Sequence, residues 1–241
     1  MNYSHKNKAL VFLKRLFYNP RLDWHKANFN LLRDCEKILD VGCGKGLFIK
    51  IAPHRIIGID KDWCSLKECA KEGYTVIKGD VLRLPFVDQS LDGIHCADLI
   101  EHFSPSDARS LLIEMLRVLK VGGFLVVATP LPSRMFWNDP THVRPYPPYS
   151  LLLYCVKDRK EGINFQPTYQ SLPYQVEFIK LVWRHTPFYQ LPLDLYFDEN
   201  RMKLSNLMRP PSLLFMLSNL LYRIGIKHPR PEGYVIVMQK F

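Results

Sequence analysis

The stretch Asp40-Val41-Gly42-Cys43-Gly44-Lys45-Gly46 is the part of this sequence best suited to hold a ligand. Closely spaced glycines permit a tight turn and let the backbone approach a bound molecule. A helix beginning just behind them would offer its unpaired N–H groups to polar ligand atoms. Asp60 follows 18 residues after Gly42 and suits the two hydroxyls of a ribose. Asp80 can accept from an exocyclic amine, and Asp40 can face a cationic amine. Three carboxylates at one sheet edge repel one another unless a ligand uses them. A ligand with an amine, a ribose and an adenine satisfies all three. Taken alone, the glycine run is equally explained by a structural turn.

These residues need strands to carry them. Ile38–Val41, Arg55–Ile59, Thr75–Lys78, Leu91–Cys96 and Phe124–Ala128 read as short apolar strands, the first three closing at Asp40-Val41, Asp60 and Gly79-Asp80. Helices are expected over Trp24–Arg33, Lys45–Ile51 and Cys64–Lys71, the last stopped by Gly73. A further helix starts at Ser104-Pro105, with Ser as N-cap, Pro at N1 and Asp107 in the first turn. Leu111, Leu112, Met115, Leu116 and Leu119 give it one apolar face. Gly122-Gly123 is expected to turn the chain into the fifth strand. Strands alternating with helices imply βαβ crossovers and a parallel sheet. Residues 130–149, rich in Pro and aromatics, should form a loop, followed by a helix over Ser150–Lys157 and strands over Gln175–Trp183 and Tyr234–Gln239.

Composition narrows the class. The chain has 241 residues, 47% hydrophobic, which excludes a disordered chain and allows a substantial core. Its apolar runs are far shorter than the roughly 20 residues that span a bilayer, and no signal peptide is evident. The six cysteines form no CxxC pair and do not cluster with histidines, so reduced thiols in a cytoplasm are expected, and no metal site. The formal charge is +10, concentrated at two pieces: residues 1–37 carry net +5 and residues 184–231 net +4. Either those pieces meet an anionic partner or they are solvated surface.

The segments Ile38–Phe48, Ile56–Asp62, Gly79–Phe86, Asp92–His102 and Leu119–Pro130 resemble, in order, the motifs of class I S-adenosylmethionine (SAM) dependent methyltransferases. The subgroup resembled is the one that modifies quinones, lipids and sugars. The resemblance implies an α/β, Rossmann-like doubly wound sheet of about seven strands, mostly parallel, with an antiparallel last strand. It implies transfer of a methyl group to oxygen or carbon of a small or lipid- or sugar-linked acceptor, leaving S-adenosylhomocysteine. By the same resemblance Asp40, Gly42, Gly44 and Gly46 hold the methionine part, Asp60 the ribose, and Asp80 and Val81 border the adenine, with Cys43 and Lys61 as further cofactor contacts. Ala97, in the turn after the fourth strand, then lies near the reactive methyl. A dinucleotide fingerprint, GxGxxG, is the rival, but Gly46 comes one residue early and Leu47 stands in its place. Domain boundaries are expected at 1–37, a basic helical extension, and 38–241, the methyltransferase domain with a helical insertion at about 187–232.

On the acceptor side two histidines stand out as candidate catalytic groups. His102 ends the fourth-strand loop and His142 lies in Asn138-Asp139-Pro140-Thr141-His142-Val143-Arg144-Pro145-Tyr146. That loop combines a base (His142), an anion clamp (Arg144) and an orienting acid (Asp139), with Tyr146 as a further acceptor contact. Either residue is also explained structurally, His102 as a hydrogen-bonder and the loop as a proline-stiffened lid. Trp24 and His25 either cap the cofactor or pack in the core. The sequence after the fourth strand reads Cys96-Ala97-Asp98-Leu99 and lacks the N/D-P-P-Y signature of amine-methylating relatives. A basic amphipathic helix over 5–18 and an apolar helix face flanked by Arg209, Arg223, Lys227 and Arg230 suit peripheral contact with an anionic membrane, or packing on the fold. RNA is the weaker partner, since no RNA-binding module accompanies the positive charge. An RNA or protein methyltransferase, or a non-catalytic SAM- or nucleotide-binding module, are the alternatives.

Overall fold

A computed structural model describes residues 20–155, 172–185 and 231–241. The expected helix at 5–18 and nearly all of the insertion at 187–232 lie outside the described residues. Strands β1 (Ile38–Val41), β2 (Ile56–Asp60), β3 (Val76–Lys78), β4 (Leu91–Ala97), β5 (Leu119–Pro130), β6 (Val176–Arg184) and β7 (Gly233–Lys240) form one sheet in the order β3-β2-β1-β4-β5-β7-β6. The first five pair in parallel, and β7 runs antiparallel to both β5 and β6. The expected doubly wound sheet with an antiparallel last strand is therefore present.

Strand alternation sorts side chains to the two faces of the sheet. Leu39, Val41, Ile94, Cys96, Leu125 and Val127 pack on one face with helix α3 (Pro105–Val118), through its buried Leu111, Leu112, Met115 and Leu116. Ile38, Phe48, Ile56, Val126 and Ala128 pack on the other with Leu32 and Cys35, which follow helix α1 (Pro20–Asn30). Ser104 caps α3 as expected, its Oγ accepting the Asp107 N–H. At the other end Lys240 Nζ, buried, donates to the carbonyls of Leu116 and Leu119, so β7 secures the C-terminus of α3. Trp24–Arg184 together with Glu232–Phe241 make one compact unit. Most of the other, Met1–Asp23 with His185–Pro231, lies outside the described residues.

Four local expectations are corrected. The helix expected over Lys45–Ile51 is a series of turns ending in a single 3-10 turn at Ile49–Ile51. Gly46 is left-handed at φ +71°, which a helix cannot include, and only six residues separate it from Pro53, so the segment forms only turns. No helix N-terminus therefore stands behind the glycines. The strand expected from Phe124 already starts at Leu119, and Gly122-Gly123 lie within it, beside a register shift between Leu91 and Gly93. The loop expected over 130–149 contains a short helix α4 (Arg134–Asn138), because the Ser133 hydroxyl caps it at the Phe136 N–H. Helix α1 begins at Pro20 rather than Trp24, with Pro in the first turn where its missing N–H costs nothing. Helix α2 (Trp63–Lys71) and helix α5 (Pro148–Cys155) complete the described helices.

Candidate active site

The carboxyl ends of β1 and β4 form the switch point of the sheet, where connections depart to opposite sides and where doubly wound sheets bind their ligands. The glycine loop leaves β1 there. Gly42 has φ +73°, and a Cβ on it would sit 2.9 Å from Leu99 Cδ2. Gly46 has φ +71°, and a Cβ there would sit 2.9 Å from the Tyr74 ring. Only glycine meets both demands. The loop is stitched to β2: the N–H groups of Gly42 and Cys43 donate to the Ile59 carbonyl, and Gly44 N donates to Asp60 Oδ2 at 2.8 Å.

The three strand-end acids are each engaged within the protein, which removes the repulsion expected of them. Asp40 is buried on the α1 side, and His95 Nδ1, its register partner on β4, lies 2.7 Å from Asp40 Oδ1. His95 Nε2 in turn meets Asn28 Nδ2 at 3.0 Å, and Phe48 stacks on the ring at 3.7 Å. Asp60 accepts Gly44 N on one oxygen and Asp62 N on the other. Asp80 is exposed and accepts Leu82 N at 2.9 Å. A carboxylate has about four acceptor positions. Asp60 spends two on these bonds and keeps capacity for two hydroxyls. Cys43 and Cys96 are buried, and burial pushes both thiols well up, so neither supplies a thiolate. Lys61 is exposed, Val81 is buried, and Ala97 is half-buried at the end of β4.

Beyond β4 the chain brings together what sequence separated. Glu101 is 0% exposed; its Oε2 accepts from Thr129 Oγ1 at 3.0 Å, while Oε1 has no partner among the described residues. Burial, then the charge of Asp98, push its carboxyl up to about 7. The Glu101 carbonyl accepts the N–H groups of Val143 and Arg144, which pins the loop after β5 over the end of β4. His142 and His102 thereby come to a ring separation of 4.9 Å. His102 Nδ1 donates to the Thr141 carbonyl at 3.0 Å and His142 Nδ1 to the Phe136 carbonyl at 2.8 Å. Asp139 accepts from the Thr141 hydroxyl at 2.6 Å, and its Oδ2 lies 3.7 Å from His142 Nε2.

Tyr146 is corrected: it belongs to the core, 1% exposed, its hydroxyl donating to the Phe103 carbonyl and its own carbonyl accepting from Tyr234. Arg144 lies over the Tyr146 ring at 5.2 Å. Asp98, in a left-handed conformation at φ 50°, is held by Arg184 through two bonds of 2.5 and 3.2 Å. The Arg184 guanidinium sits 4.3 Å over the ring of Trp24. Trp24 is therefore a partner of Arg184, and His25, whose Nδ1 is buried without a partner among the described residues, packs near Phe48 and His95. Glu101 and Arg184 were not singled out from sequence. For Glu101 the readable signal was an acid beside His102 just before a helix cap. For Arg184, 86 residues from Asp98, there was none.

A glycine loop between two strands, three strand-end acids and an overhanging loop on a 3-2-1-4-5-7-6 sheet define a doubly wound α/β domain. Residues 39–127 match the methyltransferase domain family. The chain thus carries a class I SAM-dependent methyltransferase domain, and SAM is the cofactor of that family. It is similar to a solved SAM-dependent methyltransferase from Archaeoglobus fulgidus, 20% identical, with TM-score 0.57, covering 96% of this chain and 99% of that one. A demethylmenaquinone methyltransferase of Thermotoga maritima is 37% identical over 45% of this chain and 51% of its own. A tRNA (carboxymethyluridine(34)-5-O)-methyltransferase of Arabidopsis thaliana is 33% identical over 37% of this chain and 23% of its own. The chain therefore spans about half the length of the first of these curated relatives and about a quarter of the second.

Proposed function

We propose that this chain is a SAM-dependent methyltransferase acting on oxygen or carbon of a small or lipid- or sugar-linked acceptor. The observation that carries it is Asp60, which ties the glycine loop to the end of β2 and keeps two acceptor positions free for a ribose. In this reading Asp40 and the backbone of Gly42, Cys43, Gly44 and Gly46 border the methionine part, Asp60 and Lys61 the ribose, and Asp80 and Val81 the adenine. Ala97 borders the reacting centre. Bound there, SAM supplies an activated methyl group for in-line displacement. The protein's share is positioning, exclusion of water and removal of the acceptor proton. His142 donates through Nδ1, so its Nε2 carries the lone pair that can take that proton, and His102 is built the same way. Asp139 and Arg144 orient the acceptor.

Isothermal titration with SAM, S-adenosylhomocysteine and NAD tests the cofactor. Binding of SAM and its product, lost in Asp60→Ala, supports the reading; binding of NAD alone overturns it. A second reading, methylation of RNA, is favoured by the likeness to the Arabidopsis tRNA enzyme and by the +10 charge. Labelled methyl transfer into a cell extract separates the two. Label that survives nuclease and partitions with metabolites or lipids supports a small or lipid acceptor, and label removed by nuclease supports RNA.

A further inference from the structure

We propose that Glu101, His102 and His142 bind one divalent transition-metal cation, through a Glu101 carboxylate oxygen and the Nε2 atoms of the two histidines. A ring nitrogen of each histidine and a carboxylate oxygen of Glu101 lie within 4.8 Å of one another. The tautomers are set for it. A backbone carbonyl can only accept, so the Nδ1 atoms facing the Thr141 and Phe136 carbonyls carry the protons. Both Nε2 atoms are then left with lone pairs. Metal-binding histidines are held in this way, the second ring nitrogen donating to a carbonyl or carboxylate. The Thr141 hydroxyl, which donates to Asp139, reinforces His102 from 3.1 Å.

Glu101 supplies the independent observation. It is fully buried, Thr129 fixes one oxygen, and the other has no partner among the described residues. Leaving a buried acceptor unsatisfied is costly, and a cation satisfies it. Asp139 Oδ2, 3.7 Å from His142 Nε2, adds negative charge beside the site. Two imidazoles and a carboxylate suit Mn²⁺, Fe²⁺, Co²⁺ or Zn²⁺, and three protein ligands leave positions open for oxygen atoms of an acceptor. The sequence suggests no metal because its Cys and His residues do not cluster at ligand spacing; here one ligand is a glutamate and the third comes 40 residues after the second.

This inference rests on the methyltransferase reading in one respect: it names the acceptor class, a molecule presenting a hydroxyl to the ion. Such a hydroxyl releases its proton to water more readily; with the ion bound, the histidine lone pairs are ligands, and water takes over the base role proposed for His142 and His102 in its absence.

The test is titration of the full chain with MnCl2 and, separately, ZnCl2, followed by calorimetry and, for Mn²⁺, by electron paramagnetic resonance. One equivalent is expected to bind, weakened about 10- to 100-fold in Glu101→Gln and in His142→Asn. SAM titration of the same variants reports whether they are folded. Retained SAM binding with weakened metal binding supports the site. Equal metal binding by wild type and the Glu101→Gln/His142→Asn double variant overturns it. Should a variant fail to fold, absence of any stoichiometric ion in wild type by the same two measurements overturns it as well. Metal binding without SAM binding would instead sink the methyltransferase reading and leave the site standing.

Discussion

At the end of β2, Asp60 has a backbone donor on each carboxylate oxygen; past the end of β4, Glu101 is buried with one oxygen unanswered among the described residues. The glycine-loop side, proposed to hold the cofactor, is closed in on itself. Its loop hydrogen bonds run to β2, and Asp40 is paired with His95. The side beyond β4 is held by backbone bonds from Val143 and Arg144 to the Glu101 carbonyl, and the Nδ1 donations of His102 and His142 leave both Nε2 atoms with lone pairs. A preorganised cradle suits a ligand with one fixed shape. A buried carboxylate oxygen without a partner among the described residues suits a site completed from outside.

Breaking the cofactor side should produce the largest loss. Asp40→Ala leaves His95 buried without its carboxylate and is expected to destabilise the fold by about 3 kcal/mol, measured by chemical denaturation. Gly46→Ala is expected to cost about 2 kcal/mol, because a Cβ at φ +71° is strained and meets Tyr74 and Cys69. Asp60→Ala removes the acceptor of Gly44 N and Asp62 N and should weaken SAM about tenfold or more, whereas Glu101→Gln should leave SAM affinity within about twofold. Equal losses from the two would erase the distinction between the sides.

The smallest effect is electrostatic and lies beside the cradle. Asp62 caps α2, and the Ser65 hydroxyl, then the backbone N–H groups of Ser65 and Cys64, hold its carboxyl below the ordinary 3.8. A carboxyl lowered on folding stabilises above its unfolded value and loses that contribution as pH falls through the folded one. The gap in melting temperature between wild type and Asp62→Ala should be constant near neutrality and shrink as pH drops below 3.8.

Strands β1 to β5 and the cap of α3 were readable because their signals are local: apolar runs, a Ser-Pro start, an Asp in the first turn. The missing helix after the glycine loop was misread because apolar spacing over Lys45–Ile51 says nothing about φ, and Gly46 is left-handed. Tyr146 was misplaced because an aromatic in a polar loop reads as exposed, while the fold buries it under β7 through Tyr234. Partnerships such as Asp98 with Arg184, 86 residues apart, leave no trace in spacing.

By itself, then, the chain order of glycines and acids determined that a tight glycine loop bordered by acids would form at the end of β1, since strand, turn and acid are contiguous and each needs only its neighbours. The tertiary structure alone decided what each acid faces. Parallel register set Asp40 beside His95, and the crossing of the loop after β5 over β4 set His142 beside Glu101 and His102. Those pairings depend on how separate strands and loops meet in space, which no window of sequence contains.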